Sequence, residues 1–158
     1  FMRALAWRSH LFAEAWTTAP QALGASLWVG PDLGPLSPAQ LQRSGLDRAD
    51  EDLPAPSRAR YVAFDAVRDV VDRVVPRPRF YLGVLAVDPA AQGQRLGERL
   101  LAPGLAGADA AGLPTSLETT KEANLAWYER QGFTVAASGQ VSGDGVRYWV
   151  LRREPRPR

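Results

Sequence analysis

The sequence contains no cysteine and only one histidine and one lysine among its 158 residues. Without cysteine there is no disulfide, no thiolate metal site and no cysteine nucleophile. His10 alone argues against both a histidine-based metal centre and a Ser-His-Asp triad. We therefore expect His10 to lie on the surface or in packing, and we expect no metal cofactor.

Long apolar runs are also missing. No segment approaches the roughly 20 apolar residues of a membrane helix, and no signal-peptide pattern is present. These absences predict a soluble, cytoplasmic protein without a membrane partner. Arginine stands almost everywhere in place of lysine, beside abundant alanine, proline and glycine, which suggests a GC-rich bacterial genome.

The charge balance is mild, with a net charge of +2 despite a sequence pI near 9.4. The arginine-rich end, residues 152–158, predicts a frayed, solvated tail rather than a contact with nucleic acid. We therefore expect no nucleic-acid partner.

Hydrophobic residues make up 46% of the chain and include five tryptophans, which predicts one folded domain over residues 1–158. Residues 1–10 have the pattern of the end of a helix. Because the sequence opens on Phe1-Met2, we expect an N-terminal strand and helix to be missing from it.

Apolar periodicity and turn residues divide the rest of the chain into helices and strands. A helix at 38–44 is capped by Ser37, an exposed loop covers 47–56, and Ser57 caps a helix that ends near Val75. Further helices are predicted at 93–110, with a kink at Pro103, and at 122–131. Strands are predicted at 12–17, 25–29, 80–87, 116–119, 133–141 and 146–151.

This order predicts the fold class. The strand–helix–strand unit in the middle gives a parallel pair, and the hairpins on either side give antiparallel pairs. The expected fold is α/β, a mixed central sheet that is antiparallel at the ends and flanked by helices. The strand at 80–87 is apolar on both faces, so we expect it to lie between helix layers.

Residues 81–97, YLGVLAVDPAAQGQRLG, lead from a strand through a glycine-bearing loop into a helix. A helix N-terminus presents unpaired N–H groups and a partial positive charge, both of which suit phosphate. The alternative is a helix start whose glycines only permit close packing. A dinucleotide site is less favoured, because the spacing is not G-x-G-x-x-G.

Gln92-Gly93-Gln94-Arg95-Leu96-Gly97 resembles the (Arg/Gln)-x-x-Gly-x-(Gly/Ala) pyrophosphate loop of the GNAT N-acetyltransferases. Residues 117–133, LETTKEANLAWYERQGF, resemble the second half of the same site. The similarity is strongest over residues 80–133 and, within the family, it is nearest to the puromycin N-acetyltransferase type. It implies the GNAT fold, with acetyl-CoA as cosubstrate and direct acetyl transfer to an amine.

The resemblance also implies which residues bind acetyl-CoA. The backbone from Gln92 to Gly97 would hold the pyrophosphate, and Asn124 would lie near the pantetheine. The backbone edge of Leu85, Ala86 and Val87 would pair with the pantetheine amides. Arg95 replaces the family's usual middle glycine. A side chain is tolerable there if Arg95 keeps helical dihedral angles, because backbone N–H groups hold the phosphate. The sequence leaves open whether Arg95 adds a phosphate contact or crowds one.

Two residues carry the implied chemistry. Tyr128, four residues after Asn124 on one helix face, would donate a proton to the CoA thiolate. The alternative is that Tyr128 packs with Leu125 and Phe133. Glu118 is the best candidate for a base acting through water, and the alternative is a glutamate held by neighbouring threonines or an arginine.

The expected partners are acetyl-CoA and a small amine acceptor, and a homodimer is a further expectation. Three other functions remain open: a non-catalytic acyl-CoA-binding or regulatory module, a protein N-acetyltransferase, and a protein-interaction domain. The sequence does not name the acceptor amine.

Overall fold

The computed structural model describes residues 14–32, 36–48, 51, 53–141 and 145–157. Six strands form one sheet: β1 Glu14–Thr17, β2 Gly24–Val29, β3 Phe80–Val87, β4 Thr115–Thr119, β5 Thr134–Gln140 and β6 Arg147–Arg153. The helices are α1 Pro38–Ser44, α2 Ala55–Val74, α3 Leu96–Ala111 and α4 Leu125–Arg130. Single 3-10 turns occupy Leu46–Arg48, Pro89–Ala91 and Glu122–Asn124.

The strand order is β1-β2-β3-β4-β6-β5. The β3–β4 pair is parallel and every other neighbouring pair is antiparallel. The predicted fold class is confirmed, as are the bounds of β3. The predicted helix at 1–10 and most of the turn at 142–145 lie outside the described residues.

Each face of the sheet has its own core, because side chains alternate along a strand. On one face, Trp149 and Leu151 of β6 join the larger cluster with Leu101 of α3 and Tyr128 of α4. On the other face, Val150 of β6 packs with a smaller valine cluster. Its other members are Val67 and Val71 of α2 and Val141, which directly follows β5. Val67 and Val71 of α2 are therefore buried, and the partly buried Val74 packs against the same cluster.

A bulge in β3 changes which residues face the larger core. Leu27 of β2 pairs with Val84, whereas Trp28 pairs with Leu82, so Gly83 is the extra residue. Before the bulge, Leu82 faces the larger core, and after it Leu85 packs against the same core. Bulges re-aim side chains and are frequent beside active sites. After the bulge, therefore, the odd-numbered residues of β3 lie on the face that α3 and α4 cover.

Helix α3 is held against β2 by polar contacts inside the core. The Ser26 hydroxyl donates to the Leu100 carbonyl at 2.8 Å and accepts from Trp28 Nε1 at 3.2 Å. Both side chains are fully buried, so the hydrogen bonds satisfy groups that would otherwise cost free energy. The helix continues through Pro103 to Ala111.

Three expectations about element ends and burial are wrong. The N-cap of α2 is Pro54, because Pro56 in the first turn needs no N–H partner, so Ser57 lies inside the helix. The outer part of β3 is not sandwiched, because Gly83 and Ala86 are exposed. The tail does not begin at Arg152, because β6 continues to Arg153.

The chain from the end of β6 is not frayed as expected, because a long-range ion pair connects it to α3. The guanidinium of Arg153 is 4% exposed and donates two hydrogen bonds to Asp109 of α3, at 2.7 and 2.9 Å. The backbone N–H of Arg156 donates to the same carboxylate at 2.8 Å. Residues 153–156 are therefore attached to α3.

Candidate active site

Strands β3 and β4 pair only at their beginnings. The parallel register joins Phe80 to Thr115 and Tyr81 to Ser116, although β3 continues to Val87 and β4 to Thr119. On its other side β3 stays paired with β2 as far as Val87. Beyond Tyr81, among the described residues, the edge of β3 that faces β4 has no partner strand. Unpaired N–H and C=O groups on such an edge can accept an extended ligand as an added strand.

The loop between β3 and α3 is fixed at its start by its own hydrogen bonds. The Asp88 carboxylate accepts from the N–H of Ala90 at 2.8 Å, and the amide of Gln92 donates to the Val87 carbonyl at 3.3 Å. Gly93 has a positive φ of 80°, which glycine adopts without a steric penalty. The loop then delivers the chain to the first turn of α3.

The condition that Arg95 keeps helical dihedral angles is not met. Arg95 is the N-cap of α3 and has a left-handed conformation, with φ 57° and ψ 20°. A left-handed conformation costs an L-residue roughly 1–2 kcal/mol, and glycine avoids that cost. Arg95 adopts this conformation although it has a side chain.

A cavity of about 460 Å³, which we call the loop cavity, lies beside this turn. The predicted residues that line it are Leu85, Val87, Gln92, Gly93, Arg95, Leu96, Gly97, Asn124 and Tyr128. Its wall also includes Ala91, Glu98 and Trp127. Among the described residues Arg95 pairs with no carboxylate, so its charge is available to a ligand.

A second cavity of about 380 Å³, the strand cavity, fills the gap between β3 and β4. Its wall is formed by Leu82, Gly83, Val84, Leu85, Leu117, Glu118, Thr119, Thr120, Lys121, Asn124 and Tyr128. Three residues, Leu85, Asn124 and Tyr128, line both cavities. The side chains predicted to serve cofactor and chemistry therefore meet where the two cavities adjoin.

Tyr128 and Asn124 are held in place by their neighbours. The Tyr128 ring makes edge contacts with Trp127 and Phe133, with ring centroids 5.0 and 5.7 Å away. The Asn124 amide donates to the Thr119 hydroxyl of β4 at 3.1 Å. Tyr128 therefore packs in the core and also lines both cavities. Burial, and then the negative charge of Glu118, raise the pKa of Tyr128 to about 12.

Glu118 is the carboxylate of the strand cavity. Its Oε1 accepts a hydrogen bond from the Tyr81 hydroxyl at 2.5 Å, whereas its buried Oε2 has no hydrogen-bond partner among the described residues. Burial raises the pKa of the Glu118 carboxyl, and the hydrogen bond from Tyr81 and the charges of Arg68 and Arg79 oppose that shift. A carboxyl with a raised pKa is better matched to proton transfer near neutral pH.

Two of the predicted cofactor residues, Ala86 and Gln94, line neither cavity in the part of the chain that the structure describes. After the bulge, Ala86 points away from the α3–α4 face on which Leu85 lies. Tyr81 and Trp127 also lie at the site, although the sequence did not indicate either of them. Gly83 inside a strand was a signal for the bulge, whereas no sequence signal linked Tyr81 to Glu118, 37 residues away.

Within the described ranges, no group of three or more His, Cys, Asp or Glu side chains is placed to hold a metal ion. No helix among the same residues is long and apolar enough to cross a membrane. The polar groups that line the cavities include a carboxylate, a phenol, an amide and backbone groups.

A family model described as "Acetyltransferase (GNAT) domain" matches residues 57–135, half of the chain. The match includes β3, the loop, α3, β4 and α4. The chain belongs to the GNAT acetyltransferase family.

A solved structure has the same fold. A histone acetyltransferase HPA2 and related acetyltransferase from Corynebacterium glutamicum is 22% identical with a TM-score of 0.54, over 90% of this chain and 63% of that one. This chain thus covers less than two thirds of that GNAT protein.

Two further matches have TM-scores below 0.5. The ribosomal-protein-S18-alanine N-acetyltransferase of Escherichia coli is 28% identical over 48% of this chain and 54% of its own, with a TM-score of 0.43. A nourseothricin acetyltransferase is 20% identical over 49% of this chain and 51% of its own, with a TM-score of 0.44.

Proposed function

We propose that this GNAT domain transfers the acetyl group of acetyl-CoA to a primary amine of a small molecule. The observation that carries the proposal is the junction of the two cavities. A phosphate-type loop opens on one cavity, a buried carboxylate lines the other, and Tyr128 lines both. The resemblance to the puromycin N-acetyltransferase type supports the choice of a small acceptor.

The residues around the loop cavity fit acetyl-CoA. The turn from Gln92 to Gly97 supplies backbone N–H groups and the positive end of α3, and Arg95 adds a positive charge that has no carboxylate partner among the described residues. Leu85 and Val87 would offer the unpaired edge of β3 to the pantetheine amides. Acetyl-CoA, when bound, supplies the acetyl group as a thioester.

The residues around the strand cavity fit an amine acceptor. An amine must lose its ammonium proton before it can attack a carbonyl, and Glu118, a carboxylate that lines this cavity, would receive that proton. Tyr128 would hold the proton that the departing sulfur needs. Its pKa, raised to about 12, keeps the phenol protonated at neutral pH.

The test is binding followed by an acceptor screen. A thermal shift with acetyl-CoA is compared with adenosine and ADP; at ligand one hundred times its dissociation constant, the expected stabilisation is about 2.7 kcal/mol. The screen then measures CoA release with aminonucleosides, polyamines, aminoglycosides, amino acids and peptides. Absence of any shift or calorimetric heat would overturn the proposal.

The screen also separates the alternatives. Turnover with peptides alone would identify a protein N-acetyltransferase. Tight CoA binding without turnover on any amine would identify a non-catalytic acyl-CoA-binding module. No CoA binding at all would leave a protein-interaction domain.

We further propose that the protein is a cytoplasmic bacterial enzyme and a homodimer. Composition, with arginine in place of lysine and abundant alanine, proline and glycine, supports the bacterial origin. Light scattering at several protein concentrations tests the dimer, and a single monomer mass throughout would contradict it.

A further inference from the structure

Tyr81 occupies the point at which β3 and β4 separate. It is the last residue of β3 that pairs with β4, opposite Ser116. Its ring lies beside Gly83 of the bulge, where an added Cβ would be 3.4 Å from Cε1 of Tyr81. Gly83 and Glu118 both line the strand cavity, so Tyr81 lies next to two residues of its wall.

The hydroxyl of Tyr81 donates to Oε1 of Glu118 across the two strands at 2.5 Å. A hydrogen bond to an ionised carboxylate is stronger than one between neutral groups. Because Oε1 already accepts this hydrogen bond, it is less available to accept one from a ligand. The carboxylate is left with Oε2 as its only oxygen without a partner among the described residues.

A buried carboxylate oxygen without a donor is costly, and native proteins rarely leave one unless a ligand or water completes it. Oε2 belongs to a residue that lines the strand cavity. An ammonium group in that cavity would supply the missing donor and the opposite charge. The unpartnered oxygen therefore indicates what kind of group the cavity receives.

We propose that Tyr81 is a positioning residue, whose hydroxyl fixes Oε1 of Glu118 so that Oε2 receives the ammonium group of the acceptor. This rests on the proposed function of the domain. The acceptor's ammonium gives one proton to Oε2, which leaves a neutral amine with a free electron pair and a neutral carboxylic acid. Glu118 returns the proton to solvent after the product leaves.

Among the described residues, charged and titratable groups face Glu118 from several elements. Tyr81 donates from β3, and Arg68 of α2 and Arg79, just before β3, contribute positive charge. Tyr128 of α4 and Lys121 line the same cavity. Of these, only Tyr81 donates a hydrogen bond to the carboxylate among the contacts that the structure describes.

The first experiment needs no acceptor. The protein is labelled with ¹³C at the glutamate carboxyl carbons, and the Glu118 signal is assigned by its loss in Glu118→Gln. Tyr81→Phe removes the donor that favours the charged form, so the titration midpoint of Glu118 should move to higher pH. Tyr148→Phe, which alters a tyrosine outside both cavities, should leave the midpoint unchanged. An unchanged midpoint in Tyr81→Phe overturns the positioning role.

The second experiment uses the amine that the screen identifies. Tyr81→Phe should lower kcat/KM for that amine about tenfold at neutral pH, the effect of one charge-assisted hydrogen bond. The acid limb of the pH profile should move to higher pH, while affinity for acetyl-CoA stays as in wild type. A uniform loss at every pH would indicate a merely structural tyrosine and overturn the proposal.

A further variant covers the case in which Tyr81→Phe does not fold. 3-Fluorotyrosine at position 81 alone keeps the ring and hydroxyl but makes the phenol a stronger donor, so the Glu118 midpoint should fall. A midpoint that stays or rises overturns the proposal. Failure of wild type to bind acetyl-CoA would overturn the proposed function instead, so the two failures are distinguishable.

Discussion

Gly104 of α3 lies directly against the indole ring of Trp28 in β2. A Cβ at position 104 would overlap the indole atoms Cε2, Cδ2 and Cζ2. Both residues are fully or almost fully buried, and Trp28 is also held by its hydrogen bond to Ser26. The helix that begins at the phosphate-type loop therefore reaches the sheet only because residue 104 has no side chain.

Gly104→Ala should destabilise the protein even though alanine is the better helix former. Forcing a methyl group into a packed core costs about 1–3 kcal/mol, which exceeds the roughly 1 kcal/mol gained in helix propensity. Gly107→Ala is the matched control, since a Cβ there would lie 3.3 Å from a Phe80 ring atom that can shift. Urea unfolding should show the larger loss for Gly104→Ala, and equal effects would contradict the close contact.

Arg95→Gly should leave the stability of the protein nearly unchanged or slightly higher. Glycine relieves a left-handed conformation that costs roughly 1–2 kcal/mol, while the added freedom of the unfolded chain costs about 0.5–1 kcal/mol. The affinity for acetyl-CoA should fall a few-fold and depend less on salt, because the guanidinium is lost.

Two variants separate the backbone of Arg95 from its charge. Arg95→Ala removes the charge and keeps the strained backbone, whereas Arg95→Asn removes the charge in a residue that tolerates the left-handed region. Titration calorimetry at two salt concentrations should give equally weak binding for both. Tighter binding in Arg95→Gly would show that the side chain obstructs the loop.

Tyr128→Phe should lower kcat on the order of a hundredfold or more while leaving the affinity for acetyl-CoA nearly intact, because only the proton donor is removed. Calorimetry and steady-state rates measure the two quantities. If turnover stays at the wild-type level with chemistry rate-limiting, Tyr128 is a packing residue.

The same variant changes the alkaline stability profile. The pKa of Tyr128, about 12 in the folded protein, is above its unfolded value of about 10. The stabilisation from the protonated phenol is complete below pH 10 and is lost as the pH rises towards 12. Tyr128→Phe lacks this loss, so its unfolding free energy should decline less than that of wild type over this interval.

Glu118→Gln should lower activity but raise stability at neutral pH. Burial raises the folded pKa of the carboxyl, so its contribution to stability is complete below the unfolded value near 4.5 and is lost as the pH rises through the folded pKa. The glutamine keeps an oxygen for Tyr81 and carries no charge. The gain should be largest at pH 7–8 and shrink towards pH 4. A variant less stable than wild type at pH 8 would contradict the assigned burial cost.

Asp109→Asn should reduce the free energy of unfolding by about 2 kcal/mol, because it leaves the buried guanidinium of Arg153 without its charge partner. The hydrogen bonds from Arg153 are the main cause of the lowered pKa of Asp109, so this stabilisation is present above the unfolded pKa near 3.8 and is lost as the pH falls through the folded value. Glu154→Gln is the control, since the Arg152–Glu154 pair is exposed and contributes little. Equal effects of the two variants would contradict the anchoring role of Asp109.

Local sequence determined most of the elements. The apolar run of β3 is decided by neighbouring residues, and so is the end of α4 at Arg130, two residues before Gly132 with its positive φ of 92°. Strand and helix propensities therefore suffice for both. The same holds for the loop that joins β3 to α3, whose glycines and spacing suggested a phosphate site before any contact was known. The roles of Tyr128 and Glu118 stay predictions that the sequence pattern raised.

Tertiary structure alone decided the geometry of the site. The tail was predicted to be solvated, and its contact could not be foreseen because Asp109 is 44 residues from Arg153 in the sequence. The dihedral angles of Arg95 follow from where the loop must join α3. The bulge at Gly83 turns Leu85 towards the larger core, and the separation of β3 from β4 leaves Tyr81 beside Glu118. Local propensity carries no information about such pairs, because their contacts form only when distant segments of the chain pack together.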